Sequence, residues 1–236
     1  MATLKVIGSG SSGNCYVIEC ERQSLVLDLG LPWGEILAGV NYDIGNIVGC
    51  LVTHAHKDHS LSIRNALKYQ LPVYTTPSAA ESIGGVALNS RVTYKIGDFK
   101  VTPAKVPHGD AECYSYVIVH EEIGSLLFCT DLTDFPYVVP VNHILIEANY
   151  SAETLADNFC DNAIGRSHPE NHLSIDACCG ILERLKCPEL QTVALIHLSR
   201  TNSDEKDFCD RVKDVIGWQP LVAKKGMQVD INREEF

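Results

Sequence analysis

Apolar residues fall along the first half of the chain in short blocks of strand length. Residues 4–7, 15–19, 24–28 and 47–53 read as strands, followed by a short one at 73–75 and two more at 92–94 and 99–102. The block Ile47-Val48-Gly49-Cys50-Leu51-Val52 is continuous rather than alternating, the pattern of a strand covered on both faces. A helix is predicted through Leu61, Ile63, Leu67 and Tyr69, ending before Pro72 because the residue ahead of a proline resists helical angles. The second half opens with strands at 115–120, 126–129 and 144–147. It then takes on a helical period at about 153–163, 174–186 and 203–216, with strands at 193–196 and 221–223 interleaved. In the second of these helices Ile175, Cys178, Cys179, Leu182 and Leu185 share a face behind Ser174 as N-cap. In the third, Ser203 is the predicted cap, Asp204 and Glu205 fill the first turn, and Phe208, Val212, Val215 and Ile216 form the apolar face before Gly217. Two strand-rich halves, each followed by helices, predict two packed sheets with helices outside.

Composition narrows this to an ordinary globular chain. Its 236 residues, 45% of them hydrophobic and 21% charged, suit one α/β domain with a sizeable core. No Pro/Ser-rich linker, low-complexity stretch or fixed-period repeat divides it, so residues 1–236 are read as a single domain. No apolar run approaches the roughly 20 residues of a membrane span, and no membrane partner is expected. The start, Met1-Ala2-Thr3-Leu4-Lys5, enters a strand without a signal-peptide layout. Ten cysteines without a C-x-x-C pair, several inside apolar runs, read as reduced thiols of a cytoplasmic protein. A net charge of −11 argues against broad electrostatic binding to long nucleic acid, which needs a basic footprint.

The chemistry begins where the continuous strand ends. Thr53-His54-Ala55-His56-Lys57-Asp58-His59-Ser60 releases four potential ligands within six residues. His54 and His56 alternate onto one side of an extended turn and converge on one ion; Asp58 and His59, past the bend, are free to face a second. Further candidates stand at other strand ends: His108 before the strand at 115–120, Asp131 after Leu126-Leu127-Phe128-Cys129, and His197 after Val193-Ala194-Leu195-Ile196. Alone, each would be an ordinary turn residue. Together they make five histidines and two aspartates, a donor set for two borderline divalent ions, zinc first, with manganese or iron as alternatives. His120 and His143 lie at strand edges with no partner motif and read as structural, while His168 is unassigned. Gly8-Ser9-Gly10-Ser11-Ser12-Gly13 spells G-x-G-x-x-G, but the alternating Cys15-Tyr16-Val17-Ile18-Glu19 follows rather than a helix. It reads as a hairpin turn that lines the site, and a dinucleotide fold is rejected.

From the Gly8–Asn14 turn and Asp28-Leu29-Gly30, through H-x-H-x-D-H, to His197-Leu198-Ser199, the chain resembles the metallo-β-lactamase superfamily, in its RNase Z-like and YycJ-like phosphodiesterase branch. The resemblance implies a four-layer αββα sandwich. It implies that His54, His56, His108 and Asp131 bind one ion and that Asp58, His59, Asp131 and His197 bind the other, with Asp28 bracing the ligand loop. Leu145-Ile146-Glu147-Ala148-Asn149-Tyr150 and Asn171-His172-Leu173-Ser174 resemble the glutamate and histidine elements of RNase Z. There the histidine protonates the leaving oxygen and the glutamate orients it. Asp58, His172 and Glu147 are thus the catalytic candidates, acting with a metal-bridging hydroxide, and Asn149, Ser174 and Ser199 are substrate-contact candidates.

The same branch implies the substrates. No insertion is long enough for the arm with which RNase Z grips tRNA, so tRNA 3′ processing fits poorly. The compact chain and Asn-His-Leu-Ser element resemble phage-type anti-Pycsar enzymes, which degrade cyclic mononucleotide signals in evasion of anti-phage defence. The acidic charge favours that small nucleotide substrate over a YycJ-like exonuclease acting on DNA or RNA. A homodimer is expected from the branch. A thioester or lactone hydrolase would leave Glu147 and His172 without a task, and a metal-stabilised binding module would lack a ligand. Arg64, Arg166, Arg200 and Asn202 are further candidate phosphate or base contacts, each read first as solvated surface.

Overall fold

A computed structural model describes residues 1–159 and 169–234. The first sheet comprises β1 (Thr3–Gly8), β2 (Cys15–Glu19), β3 (Ser24–Leu27), β4 (Ile47–Leu51), β5 (Val73–Thr75) and β6 (Val86–Ala87). The second comprises β7 (Tyr94–Ile96), β8 (Phe99–Val106), β9 (Cys113–His120), β10 (Gly124–Cys129), β11 (His143–Glu147), β12 (Thr192–Ile196) and β13 (Leu221–Val222). The chain then returns, and β14 (Gln228–Asp230) pairs antiparallel with β1. The spatial orders are β14-β1-β2-β3-β4-β5-β6 and β13-β12-β11-β10-β9-β8-β7. Each sheet is mixed: β3 to β6 run parallel in one, β10 to β13 in the other, and the remaining pairings are antiparallel.

Side-chain alternation explains the layers. In β12, Ala194 and Ile196 face a core between the sheets, where Tyr16, Phe99, Tyr116 and Phe128 also lie. Val193 and Leu195 face the other way, onto α6 (Ile175–Leu185) and α7 (Glu205–Ile216). Val17, Val26, Cys50 and Val52 do the same for the first sheet, packing on α1 (Trp33–Gly39) and α3 (Ile63–Lys68). The result is two mixed sheets flanked by helices, an αββα sandwich, and the continuous apolar strands follow from being covered twice. The remaining described helices, α2 (Lys57–Ser60), α4 (Pro77–Ile83) and α5 (Ala152–Phe159), lie in connections.

Four local expectations need correction. The helix expected after the histidine motif is two pieces, α2 and α3, because Ser62 turns aside: its N–H donates to Leu29 O and its hydroxyl to Leu31 O. β8 continues past Pro103 to Val106, and the strand expected at 92–94 is displaced to Tyr94–Ile96. The short β7 pairs only with Phe99 to Val101, so Pro103 meets no strand on its donor-less side. Asp204, not Ser203, caps α7: its carboxylate accepts from Lys206 and Asp207 N–H, while the Ser203 hydroxyl donates to Ser199 O. The helix expected at about 153–163 is present as α5, its last positions lying outside the described residues, as do Arg166 and His168.

Candidate metal centre

The parallel strands of both sheets deliver the candidate ligands to one end of the sandwich. Asp28 follows β3, Thr53 and His54 follow β4, Asp131 follows β10, Glu147 closes β11 and His197 follows β12. Ligand sites at the carboxyl ends of parallel strands are a general consequence of such topology. Asp28, Asp131 and His197 each take a left-handed conformation, with φ of 59°, 52° and 53°. Such conformations cost about 1–3 kcal/mol in a non-glycine residue and persist where the surroundings over-determine them. Gly30 shows how tightly the ligand loop is seated: a Cβ there would lie 1.6 Å from the Asp58 carbonyl oxygen.

Two ligand clusters share Asp131. His54, His56, His108 and Asp131 offer donor atoms within 4.8 Å of one another, and so do Asp58, His59, Asp131 and His197. Four of the histidines have Nδ1 engaged by a neighbour, which leaves Nε2 as the free donor. His108 Nδ1–H donates to Asn171 O at 2.7 Å. His59 Nδ1–H donates to Asp28 Oδ2 at 2.6 Å. His54 Nδ1 lies 3.0 Å from Thr53 Oγ1, whose own proton goes to Asp28 Oδ1. His197 Nδ1–H donates to Glu147 Oε1 at 2.9 Å. His56 is the exposed member and presents Nδ1, 3.1 Å from His108 Nε2.

The donor set fits metal ions on its own chemistry. His54 Nε2 and His197 Nε2 are buried with no hydrogen-bond partner, a state that buried polar atoms rarely tolerate unless an ion completes them. Charge points the same way. Burial opposes a charge on His59, yet the Asp131 and Asp28 carboxylates hold its imidazole well above the usual range. Against the same opposing burial, Asp131, Asp58 and Glu147 raise His197 to about 10. Asp58 and Asp131 are depressed by these imidazoles despite burial. Carboxylates held ionised in a buried cluster, stabilising positive charge on the imidazoles beside them, also suit divalent cations.

Beside Asp131 stands a second pair. His172 Nδ1 lies 2.7 Å from Glu147 Oε1 and 3.9 Å from Asp131 Oδ2, with a fifth of its side chain exposed. Glu147 is fully buried, and its other oxygen accepts Leu132 N–H at 3.3 Å. Burial opposes a charge on His172, but the Glu147 hydrogen bond raises it. Glu147 is depressed in turn, the His172 and His197 bonds outweighing its burial and the Asp131 charge. Of the other candidate contacts, Asn149 is tied to the His197 carbonyl at 2.9 Å, and the Ser199 hydroxyl accepts Asn202 N–H at 3.2 Å. The Ser174 hydroxyl accepts Ala177 N–H as the cap of α6, leaving its proton and one lone pair for a ligand. Arg64 and Arg200 are exposed, as read from sequence, with Arg200 near Ser12 Oγ at 3.4 Å. Asn202 is instead buried at 2% exposure, its carbonyl accepting from Ser151 and Thr154.

Several supporting residues escape a sequence reading. Asn14 is fully buried and its side-chain nitrogen is 3.2 Å from His59 Nε2. Ser9 Oγ accepts the His197 N–H at 2.9 Å, and Tyr16 donates to the same oxygen. The glycine-rich turn therefore does line the site, through Ser9 and Asn14.

A family profile described as the metallo-beta-lactamase superfamily matches residues 8–136. The exodeoxyribonuclease YycJ of Bacillus anthracis is 28% identical over 174 residues, 64% of this chain and 64% of its own length. The chain thus spans less than two thirds of the curated relatives it matches. Among solved structures, the metallo-β-lactamase-fold protein YhfI of Bacillus subtilis superposes with a TM-score of 0.76 at 18% identity, covering 98% of this chain and all of YhfI. The short form of human tRNase Z gives 0.62 at 12% identity, covering 97% and 99%. At these identities the structures speak for the fold alone.

Proposed function

The chain belongs to the metallo-β-lactamase superfamily, and from that premise we propose that it is a metal-dependent phosphodiesterase hydrolysing a P–O bond of a nucleotide. The observation that carries the proposal is the Glu147–His172 pair, 2.7 Å apart and beside Asp131. A thiolate departs without a proton, whereas the alkoxide leaving a phosphodiester needs one. His172 is the group that supplies it: Glu147 binds Nδ1, favours the charged ring against its burial and leaves Nε2 to face a leaving oxygen. His54, His56, His108 and Asp131 would hold one ion, and Asp58, His59, Asp131 and His197 the second. When bound, two divalent ions supply Lewis acidity toward water and toward phosphoryl oxygens. Asp58, depressed by the His197 and His59 hydrogen bonds against its burial, stays ionised at neutral pH and is placed to orient an attacking water by accepting its hydrogen bond.

For the substrate we favour a small nucleotide, a cyclic mononucleotide first. Next to His56 and His108 lies a cavity of about 500 Å³ also lined by Gly109, Asp110, Glu170 and Asn171. That is the size of a small-molecule site. Its two carboxylates and the net charge of −11 repel a long polyanion. One observation favours a second reading: the similarity to YycJ supports exonucleolytic trimming of DNA.

Incubating metal-loaded protein, with Asp58→Ala as control, with cyclic mononucleotides and separately with 5′-labelled single-stranded DNA and RNA decides between them. Linear monophosphate formation with intact polymers is the expected result. Shortened polymers with intact cyclic nucleotides would establish the nuclease, and inertness toward both would remove the phosphodiesterase proposal.

A further inference from the structure

A second group of metal-binding side chains lies at the other end of the sandwich. The β2–β3 turn of the first sheet meets the β9–β10 turn of the second there, away from the strand ends that carry the cleft. Cys20 comes from one turn, His120 from the end of β9 and Glu122 from the turn that follows it. We propose that Cys20, His120 and Glu122 form a separate site for one thiophilic divalent cation of the zinc type, clipping the two sheets together.

Geometry supports the site. The three donor atoms lie within 4.8 Å of one another, and Cys20 Sγ is 3.4 Å from His120 Nδ1. Zn–S near 2.3 Å and Zn–N near 2.0–2.1 Å at a tetrahedral angle give an S···N edge of about 3.5 Å. Cys20 is 5% and His120 8% exposed. The His120 ring packs on Phe99, and its Nδ1 accepts Glu122 N–H at 3.2 Å, which marks that nitrogen as the unprotonated one; an ion bound there takes its lone pair in place of this N–H. The Glu122 carboxylate is held by Glu21 N–H at 3.0 and 3.3 Å and by the Met1 amine at 3.1 Å, contacts that position it without using all its lone pairs. Glu21, Asp98, Glu121 and Glu122 outnumber Arg22 around the adjoining open cavity, so the local field favours a cation. The open side leaves a fourth position for water. Thiolate, imidazole and carboxylate together select zinc over magnesium or calcium.

The sulfur makes the site separable from the cleft, whose donors are all nitrogen and oxygen. Without a cation, burial first and Glu122 next push the Cys20 thiol up to about 12, so thiolate absorption at neutral pH reports a bound ion. Titrating the metal-free full chain with cobalt(II) should give a near-ultraviolet thiolate-to-cobalt charge-transfer band. The saturated protein should carry three ions, one more than the cleft accounts for. Cys20→Ser should abolish the band and lower the count by one; Cys113→Ser should leave both, although Cys113 lies 3.8 Å from His54. If Cys20→Ser does not fold, Glu122→Gln decides, with weakened binding of the band-forming ion expected. Absence of the band, its survival in Cys20→Ser, or unchanged affinity in Glu122→Gln would overturn the site and leave a plain hydrogen-bonded Cys20–His120 pair. None of these outcomes bears on the phosphodiesterase proposal.

Discussion

Asp28 reaches no ligand position, yet it organises two histidines. It takes the Thr53 N–H at 2.9 Å, the Thr53 hydroxyl at 3.0 Å and the His59 imidazole at 2.6 Å. Through Thr53 it also fixes the tautomer of His54. Carboxylates in this role set ligand orientation and basicity, and their loss lowers metal affinity by about 10–100-fold. Asp28→Ala should show that loss in a chelator-competition titration while Asp28→Glu recovers part of it; an unchanged affinity would remove Asp28 from the support of the site. At this scale the H-x-H-x-D-H run was legible because its four donors fall within six residues. Asn14, Ser9 and Asn171 were not. Their contacts to His59, His197 and His108 span 45, 188 and 63 residues, and no local pattern encodes such distances.

Elements were legible where burial is two-sided or the helical stripe is long. β4, β10 and β12 read directly as apolar blocks, and α6 and α7 as amphipathic stripes. The ends were harder, because several polar residues compete for one cap. Ser203 and Asp204 stand side by side before α7, and only the fold shows that Ser203 is drawn away to Ser199 O. Asp204→Ala should therefore cost about 1 kcal/mol in urea unfolding, the ordinary penalty for a lost N-cap. Ser203→Ala should cost less; the reverse order would reinstate Ser203 as the cap. α1 went unread because Gly34 and Gly39 interrupt its seven residues. The two- and three-residue β6 and β14 exist only through pairing with distant strands.

On the scale of the whole molecule, sheet order and layers follow from alternation and two-sided burial, whereas the return of β14 to the first sheet is a tertiary event that no local signal announces. That closure also sets a pH dependence. His143, at the start of β11, is 1% exposed; burial lowers it to about 4 against the opposing carbonyls of Ile123 and Ile231. The unfolded chain takes up this proton near pH 6.5 and the folded chain only near 4, so stability falls as pH drops through that window. The group's share is about 3 kcal/mol. Urea unfolding of wild type and His143→Gln across pH 7 to 4 should show a steeper fall in wild type, and parallel curves would contradict the assignment.

The proposed chemistry is proton donation by His172 to a departing alkoxide beside a two-metal cleft. The direct measurement is kcat for one metal-loaded preparation on two phosphodiesters, one with a poor alkoxide leaving group and one with an activated p-nitrophenyl group, in wild type and His172→Ala. With metal content unchanged, His172→Ala should lose about 10²–10⁴-fold on the poor leaving group and less than about tenfold on the activated one. Equal losses on both esters, or no loss on either, would contradict the role assigned to His172 and with it the phosphodiesterase mechanism.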